Sequence, residues 1–403
     1  MRPYLPWLLF AAVLLIAPLL WRSELGVSLL AQIGIAIIAC LAYNILLGQG
    51  GMLSFGHAMY SGIAAFAVLH VLGQWPVPVS LLPLVGGLAG LGAAAVFGFI
   101  TTRRAGTALA MITLGLGELV SAGAPMWPAF FGGEAGISGN RVVGSPVLGF
   151  ITFGPQIQVY YLVAAYTLVC TGAMYAFTRT PLGRMLNAVR DNPERAEFIG
   201  YSARRVRYFS FLISGFFAGV AGGLSALNFE IATAEALGAA RSGALLLFVY
   251  LGGAADFFGP IVGAVMMVLS QVLLSELTKA WLLYLGLAFM GMVIYAPHGV
   301  AGALMALWRV MRAGRLMQVL PGLALVSVAA LPLLAGSTAL VEMVYQRQLD
   351  DASGTALRHL GVALDTGQAS SWLGALALAA AGGWLLSLAR KRLARAWREA
   401  ARS

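Results

Sequence analysis

Long apolar runs alternate with short polar segments along almost the whole chain. A helix that crosses a membrane needs about 20 apolar residues, because lipid offers its backbone amides no hydrogen-bonding partner. Twelve runs approach that length; the runs at 58–73, 243–256 and 260–276 are short, so we expect broken or tilted helices there. The pattern predicts an all-α, polytopic transmembrane helical bundle. The other runs lie near residues 7–21, 27–47, 79–100, 106–122, 157–178, 208–228, 281–296, 318–340 and 371–389.

The composition agrees with this pattern. Of the 403 residues, 60 % are hydrophobic and only 10 % are charged, and the mean hydropathy is +0.86. So much apolar surface excludes a water-soluble globular domain. The two cysteines, Cys40 and Cys170, lie inside apolar runs. We therefore expect them to pack in the core and to form neither a disulfide nor a metal site.

The charged residues predict the orientation of the chain in the membrane. If the N-terminus is cytoplasmic and each run crosses once, 19 of the 25 basic residues lie on the cytoplasmic side and nine of the 15 acids lie on the opposite side. The positive-inside rule requires this asymmetry. We therefore expect both termini in the cytoplasm. The net charge of +10 then reflects membrane topology, and we expect no nucleic-acid partner.

One charged stretch interrupts the apolar pattern. Residues 179–207, RTPLGRMLNAVRDNPERAEFIGYSARRVR, are the longest predicted cytoplasmic loop, here called the polar loop. Thr180 and Asn192 each precede a proline, so each can cap a helix whose first residue needs no N–H. The second helix is expected from 193 to about 199, with Gly200 in the left-handed conformation that ends it. Because about seven residues make only a marginal helix in water, this helix needs a docking surface.

Glycines crowd the end of the second run, in GQGGMLSFGH (residues 48–57), here called the glycine segment. Irregular backbone at membrane depth is tolerated only against protein or a water-filled path. The glycine segment therefore either lines a translocation path or packs closely against a neighbouring helix. We interpret His57 as a hydrogen-bonded packing residue rather than a proton relay. The candidate path residues are Gly51, Ser54, Gly56, His57 and Glu118.

Glu118 is the one acid that the pattern places well inside a run. A carboxylate there is costly, so it must be paired, protonated or turned toward the bundle interior. A hydrogen bond to a neighbouring helix is favoured over a place on the path.

A second feature of the runs is the spacing of Gly215, Gly219 and Gly223, four apart on one helical face. This spacing favours close packing within the chain, with contact to a second subunit as the alternative.

Six segments carry a resemblance to a known family. They are YNILLGQGGMLSFGHAMYSGIAAF (43–66), ALAMITLGLGEL (108–119), FGGEAGISG (131–139), RTPLGRMLNAVRDNPERAEFIG (179–200), LLLFVYLGGAADFFGPIVGA (245–264) and IYAPHGVAG (294–302). In this order they resemble the permease subunits of ATP-binding-cassette importers, in the branched-chain amino acid (LivM-like) family. The resemblance covers residues 1–310, a permease core of about 10 spans.

The resemblance implies an ATP-driven importer of the bacterial inner membrane, for branched-chain or other hydrophobic amino acids or related small solutes. In that family the loop that corresponds to 179–207 docks on a separate ATPase subunit. The implied partners are a second homologous permease, two ATPase subunits and a periplasmic or extracellular solute-binding protein. Carried over residue by residue, the ATPase-coupling interface comprises Gly183, Arg184, Arg190, Asn192, Pro193, Glu194, Ala196, Glu197 and Gly200.

The sequence contains no catalytic constellation, no His/Cys cluster with metal spacing and no Gly-x-x-x-x-Gly-Lys-Ser/Thr phosphate loop. We therefore expect neither enzyme activity nor a cofactor or metal, with ATP used by the partner subunits. The alternative is a secondary transporter driven by an ion gradient, which would fit twelve spans with both ends inside. The scarcity of ionisable residues within the runs speaks against it.

Residues 311–403 depart from the family pattern. They predict two transmembrane helices, an external segment over 341–370 between them, and a basic tail, ARKRLARAWREAARS. The tail either fixes the orientation of the last helix or binds the headgroups of anionic membrane lipid, at about 1 kcal/mol for each basic residue near the surface.

Overall fold

The structure is a computed structural model that describes residues 5–21, 23–142, 152–278, 280–296, 298–349, 356–359 and 362–402. Helices make up most of it. They are α1 (Leu5–Leu20), α2 (Glu24–Asn44), α3 (Ala58–Gln74), α4 (Leu82–Thr101), α5 (Gly106–Gly123), α6 (Pro128–Phe131), α7 (Gln156–Arg179), α8 (Pro181–Asp191), α9 (Pro193–Phe198), α10 (Ala203–Phe229), α11 (Ala239–Gly252), α12 (Gly259–Leu269), α13 (Ser275–Leu277), α14 (Trp281–Tyr295), α15 (Gly299–Arg312), α16 (Leu316–Leu349) and α17 (Ala369–Arg402).

Two short antiparallel strand pairs complete the described elements. Strand β1 (Ile137–Ser138) pairs with β2 (Ile231–Ala232), and β3 (Ala356–His359) pairs with β4 (Val362–Asp365). The chain divides into two compact units. The first runs to Leu273 and includes Gly291–Gly302, whereas the second contains Leu274–Met290 and the chain from Ala303 onward.

Each of the twelve predicted runs coincides with a helix. Within the described residues, seven helices are long and apolar enough to cross a membrane, and an eighth forms if the bent pair Trp281–Ile294 and Gly299–Arg312 is one span. The shorter apolar helices are Leu5–Leu20, Ala58–Gln74, Ala239–Gly252 and Gly259–Leu274. The predicted polytopic helical bundle is therefore confirmed. The number of crossings and the orientation of the termini stay predictions.

Helix α10 lies in the middle of the first unit and packs closely on α4. A Cβ atom added to Gly219 would lie 2.2 Å from the carbonyl oxygen of Gly86 on α4. One turn away, a Cβ added to Gly90 of α4 would lie 2.4 Å from the carbonyl oxygen of Gly215. Small residues on both helices let the two backbones touch. The predicted packing role of these glycines within the chain is confirmed.

The second unit corrects two expectations about the extension. Helix α16 continues past the predicted run to Leu349, since no glycine or proline interrupts residues 341–349. It therefore contains Glu342, so Glu118 is not the one acid inside a long apolar helix. Glu342 accepts hydrogen bonds from the hydroxyls of Tyr284, at 3.0 Å, and Thr278. Farther along the predicted external segment, the backbone forms the β3–β4 hairpin.

Candidate functional site

The polar loop folds into the two predicted helices, and both predicted caps are confirmed. The hydroxyl of Thr180 accepts a hydrogen bond from the N–H of Gly183 at 3.2 Å. The side-chain oxygen of Asn192 accepts one from the N–H of Arg195 at 2.9 Å. Each bond satisfies a backbone donor that the first turn of a helix leaves free. These local bonds set the lengths of α8 and α9.

The end of α9 is a Schellman motif, as the glycine after it predicted. Gly200 adopts φ +89°, a left-handed value that residues with a Cβ atom rarely adopt. Its N–H donates to the carbonyl of Glu197 at 2.9 Å, and the N–H of Tyr201 donates to the carbonyl of Ala196 at 3.1 Å. These two bonds define the motif and stop the helix there. Ala196 is the one buried residue of α9, at 1 % exposure.

The outer surface of α9 combines charge with exposed apolar side chains. Arg184, Asn192, Pro193, Glu194 and Glu197 are all exposed. At the end of α9, Phe198 is 90 % exposed, and Ile199 and Tyr201 are 61 % and 45 % exposed. We call these last three residues the apolar tip. Sequence reasoning missed it, although three large apolar side chains around a helix-ending glycine in a polar loop were a usable signal.

Gly183 allows α8 to start directly against the end of α7. A Cβ atom at this position would lie 2.3 Å from the carbonyl oxygen of Phe177. From there α8 buries Leu186 and Val189 and exposes Arg184. The helix is thus strongly amphipathic and lies on the first unit with its apolar side inward. Gly183 therefore acts through close packing, not through an exposed surface.

Arg190 connects the polar loop with the glycine segment. Its Nη1 atom donates a hydrogen bond to the carbonyl oxygen of Gly48 at 2.5 Å, and its Nε atom donates to Asp191 at 2.9 Å. A Cβ atom on Gly51, which has φ +61°, would lie 2.6 Å from the Cγ atom of Arg190. Glycine at 51 thus provides both the backbone angle and the room for this side chain. The sequence predicted these residues as parts of two separate sites, whereas the structure brings them together.

The glycine segment begins where α2 changes into a π-helical turn over Ile45–Gln49. Such turns widen a helix and release backbone groups from their regular partners. Side chains from three helices bind backbone groups farther along the segment and at the start of α3. Tyr43 donates to the carbonyl of Ser54 at 2.8 Å, Phe55 donates from its N–H to Thr113 at 3.1 Å, and Ala58 donates to Ser242 at 2.9 Å.

Two of the candidate path residues are packed tightly in this segment. A Cβ atom on Gly56 would lie 2.2 Å from the carbonyl oxygen of Thr113 on α5. Ser54 has 0 % exposure. Gly51, in contrast, is exposed. Close packing against a neighbouring helix therefore explains Gly56. That the glycine segment lines a translocation path stays a prediction.

His57 is a packing residue without the hydrogen bond that was expected. It is 1 % exposed, and its ring meets those of Tyr43 and Tyr60 edge to face at centroid distances of 5.0 and 5.8 Å. Neither ring nitrogen has a partner within the described protein. The same holds for three nearby buried oxygens, Asn44 Oδ1, Ser54 Oγ and the Tyr60 hydroxyl. Buried polar atoms without partners are uncommon in folded proteins, so this group marks the α2–α3 junction as unusual.

Glu118 lies exposed on α5 and contacts the start of α11. Its Oε1 atom accepts a hydrogen bond from the N–H of Ala239, the first residue of α11, at 3.3 Å. A carboxylate at a helix N-terminus interacts favourably with the free N–H groups there. The favoured interpretation, a hydrogen bond to a neighbouring helix, is therefore the one that the structure shows.

Arg141 is a buried residue with a structural role, which the sequence pattern did not indicate. It is 8 % exposed, and its Nη1 atom donates to the carbonyls of Leu227 and Asn228 at 2.8 and 3.0 Å. Its N–H donates to the side chain of Glu230 at 2.9 Å. The guanidinium thus binds the free carbonyls at the end of α10 and holds the segment around β1 against that end.

The region presents exposed charged and apolar side chains. Among the residues that the structure describes, no three His, Cys, Asp or Glu side chains are grouped so that they could hold a metal ion. The site consists instead of a capped two-helix loop with an apolar tip, and an arginine that joins this loop to a break in a long apolar helix.

The sequence was then compared with known proteins. The profile of the family described as "Branched-chain amino acid transport system / permease component" matches residues 25–297. The high-affinity branched-chain amino acid transport system permease protein LivM of Escherichia coli K12 is 30 % identical over 325 residues, which cover 72 % of this chain and 74 % of that protein. LivM of Salmonella typhimurium is 30 % identical over 320 residues, with the same coverage.

A more distant relative has another solute in its name. The fructose import permease protein FrcC of Rhizobium meliloti is 26 % identical over 223 residues, which cover 50 % of this chain and 59 % of that protein. No solved structure matches the chain. The relatives are transport permeases, and the apolar helices identify a multi-pass membrane protein. Together these findings show that the chain belongs to the family of permease components of branched-chain amino acid transport systems.

Proposed function

We propose that this chain is the membrane-spanning permease subunit of an ATP-driven importer in the bacterial inner membrane. Its solutes are branched-chain or other hydrophobic amino acids or related small molecules. Separate ATPase subunits supply the energy by docking on the polar loop, residues 179–207. A second homologous permease and a periplasmic or extracellular solute-binding protein complete the transporter, and both termini of the chain are cytoplasmic.

The apolar tip beside α9 is the observation that carries this proposal. Phe198 is 90 % exposed at the end of a short helix that is capped at both ends. Burial of one large apolar side chain contributes about 1.5–3 kcal/mol, so the tip offers a partner a strong anchor. Next to the tip, Glu194, Arg195 and Glu197 of α9 are exposed and available for pairing. A protein partner that covers α9 would bury the tip and meet these charges.

Arg190 supports a mechanical role for the docked loop. It lies on α8, next to α9, and its side chain contacts both Gly48 and Gly51 of the glycine segment. A displacement of the loop by a docked ATPase would therefore reach the break at the end of α2. At that break, buried polar atoms of Asn44, Ser54 and Tyr60 have no hydrogen-bonding partner within the described protein. This supports a location of the break beside the translocation path.

The test truncates the side chain of Phe198, and the control truncates an exposed phenylalanine elsewhere in the chain. In Phe198→Ala, association with the ATPase subunits should fall by about 30-fold, because truncation of a hot-spot anchor costs about 2 kcal/mol or more. Glu197→Lys should also weaken it by reversing a charge on the same surface. Phe229→Ala is the matched control, since Phe229 is 49 % exposed at the far end of α10. Co-purification of tagged permease with the ATPase measures association.

Two outcomes would contradict the proposal. Unchanged association and unchanged uptake in both loop variants would remove the docking assignment. Uptake by proteoliposomes that requires a proton gradient and proceeds without ATP would favour the secondary transporter instead. Binding assays with the purified solute-binding protein then identify the solute class.

A further inference from the structure

The basic residues of the second unit are concentrated where three of its helices meet. Val310 of α15 and Val319 of α16 are buried against each other, at 8 % and 0 % exposure. Leu323 of α16 and Leu393 of α17 pack on this pair. The end of α15, the start of α16 and the Leu393 turn of α17 therefore lie side by side.

Six basic residues surround this small apolar cluster. Arg309 and Arg312 flank Val310 along α15, and the N–H of Arg315 donates to the carbonyl of Val310 at 3.2 Å. Arg390, Lys391 and Arg392 directly precede Leu393. Arg315 is partly exposed and the other five are exposed. We call these six residues the basic collar. Three segments of the chain thus combine into one positively charged surface.

Glu342 lies toward the opposite end of the α16–α17 hairpin from the basic collar. The two helices are antiparallel: Gly322 packs on Leu393, whereas Met343 clusters with Trp372. Glu342 is 23 residues beyond Val319 on α16, a distance of about 35 Å at 1.5 Å per residue. The hydrocarbon core of a bilayer is about 30 Å thick. When the hairpin spans the membrane, the collar therefore lies at the headgroup level of one leaflet.

Exposed apolar side chains lie beside the arginines on α15. Leu304, Trp308 and Met311 are 52 %, 49 % and 46 % exposed. The guanidinium of Arg312 lies 4.0 Å above the ring of Trp308. Tryptophan favours the boundary between headgroups and acyl chains, and basic amphipathic helices lie in that boundary with their apolar side in the acyl region. This mixture fits a lipid surface, since a soluble acidic protein would match only the charges.

We propose that the basic collar is a binding surface for the headgroups of anionic phospholipids. The phosphate groups bind the arginines, and the acyl chains cover the apolar side of α15. Five of the six positive charges are exposed within a few residues of one cluster, so several can act on one headgroup or on adjacent ones. All six residues lie beyond residue 297, where the family profile ends. Five of the six, all but Arg309, belong to the C-terminal extension, so the collar gives the extension a role.

The experiment compares two lipids in symmetric nanodiscs, where a preferred orientation of the chain makes no difference. Full-length protein is placed in equal parts phosphatidylglycerol and phosphatidylcholine, and retained lipids are counted by native mass spectrometry after extraction. Because a basic residue near the surface attracts anionic lipid about five-fold, the wild-type protein should retain phosphatidylglycerol in at least about five-fold excess. The quadruple variant R309Q/R312Q/R390Q/R392Q should retain a clearly smaller excess of phosphatidylglycerol.

The matched control, R103Q/R104Q/R204Q/R205Q, neutralises four exposed arginines of the first unit and should keep the excess. A second measurement uses only the wild-type protein, so its result does not depend on whether the variant folds. At 1 M salt the Debye length falls to about 3 Å, so the excess should shrink. An excess that is undiminished in the collar variant, or that is unchanged by salt, would overturn the proposal. So would a collar variant that loses the ATPase subunits while its lipid excess is unchanged, since the collar would then be a protein interface.

Discussion

The contact between Arg190 and the glycine segment leads to a prediction that can be tested without knowledge of the solute. Arg190→Ala removes the hydrogen bond from the guanidinium to Gly48 and the side chain that packs on Gly51. A hydrogen bond from a charged group is worth about 1.5–3 kcal/mol. The Arg190 side chain is 38 % exposed, so solvent screening reduces this to about 1–2 kcal/mol. A free energy of about 1.4 kcal/mol corresponds to a ten-fold change in an equilibrium constant.

Hydrogen exchange of the glycine segment measures this effect directly. The N–H of Gly51 donates to Leu47 at 3.0 Å, and that of Met52 donates to Leu46 at 2.8 Å. In Arg190→Ala these two amides should exchange about ten-fold faster, because local opening of the segment becomes easier by the free energy estimated above. Arg184→Ala is the control: it removes the same charge from α8, and Arg184 is exposed on the side away from the buried Leu186.

The functional result follows from the same contact. With ATPase and solute-binding protein present, Arg190→Ala should lower the amount of solute taken up for each ATP hydrolysed, while co-purification of the ATPase is retained. Exchange at Gly51 and Met52 equal to that of the wild-type protein would refute the mechanical link. A loss of ATPase co-purification with normal exchange would instead assign Arg190 to the docking surface alone.

Three further predictions concern stability and local structure. Gly219→Ala should lower the thermal unfolding temperature in detergent, because the new methyl group would lie 2.2 Å from the backbone of Gly86; Gly172→Ala, which has open space around it, should not. Asn192→Ala should cost about 1 kcal/mol of local stability by removing the cap of α9, seen as faster amide exchange over 194–198. Glu118→Ala should loosen the first turn of α11 by less than about 1 kcal/mol, measured by the same exchange, whereas Glu118→Gln keeps the acceptor without the negative charge and should fall between Glu118→Ala and the wild-type protein.

Local features of the candidate site were predictable from residues next to each other in the chain. The caps at Thr180 and Asn192 and the left-handed Gly200 all depend on bonds that span three to five residues. Such bonds form from the same side chains in almost any tertiary context, so the residue types identify them. The apolar tip was also visible in the sequence, but its meaning depends on exposure, which local pattern does not measure.

Other features of the site could not be read from the pattern. His57 was expected to have a hydrogen-bonding partner, and its ring instead lies between two tyrosines with both nitrogens unpartnered. Glu342 was assigned to an external segment because the apolar run ends before it. The helix continues, and hydroxyl groups from Tyr284 and Thr278 satisfy its carboxylate. The environment of His57 depends on tyrosines from two different helices, α2 and α3, and that of Glu342 on residues 58 and 64 positions away in the chain.

The sequence by itself determined the membrane class, the helical bundle, the positions of twelve helices and the two-helix form of the polar loop. Those follow from hydrophobicity and local capping, which depend on composition and short-range geometry. Only the tertiary structure decided that Arg190 binds the glycine segment, that Gly219 meets Gly86, and that three basic segments form one collar. The physical reason is that these contacts join residues that are distant in sequence, so they exist only once the helices have packed in one particular arrangement.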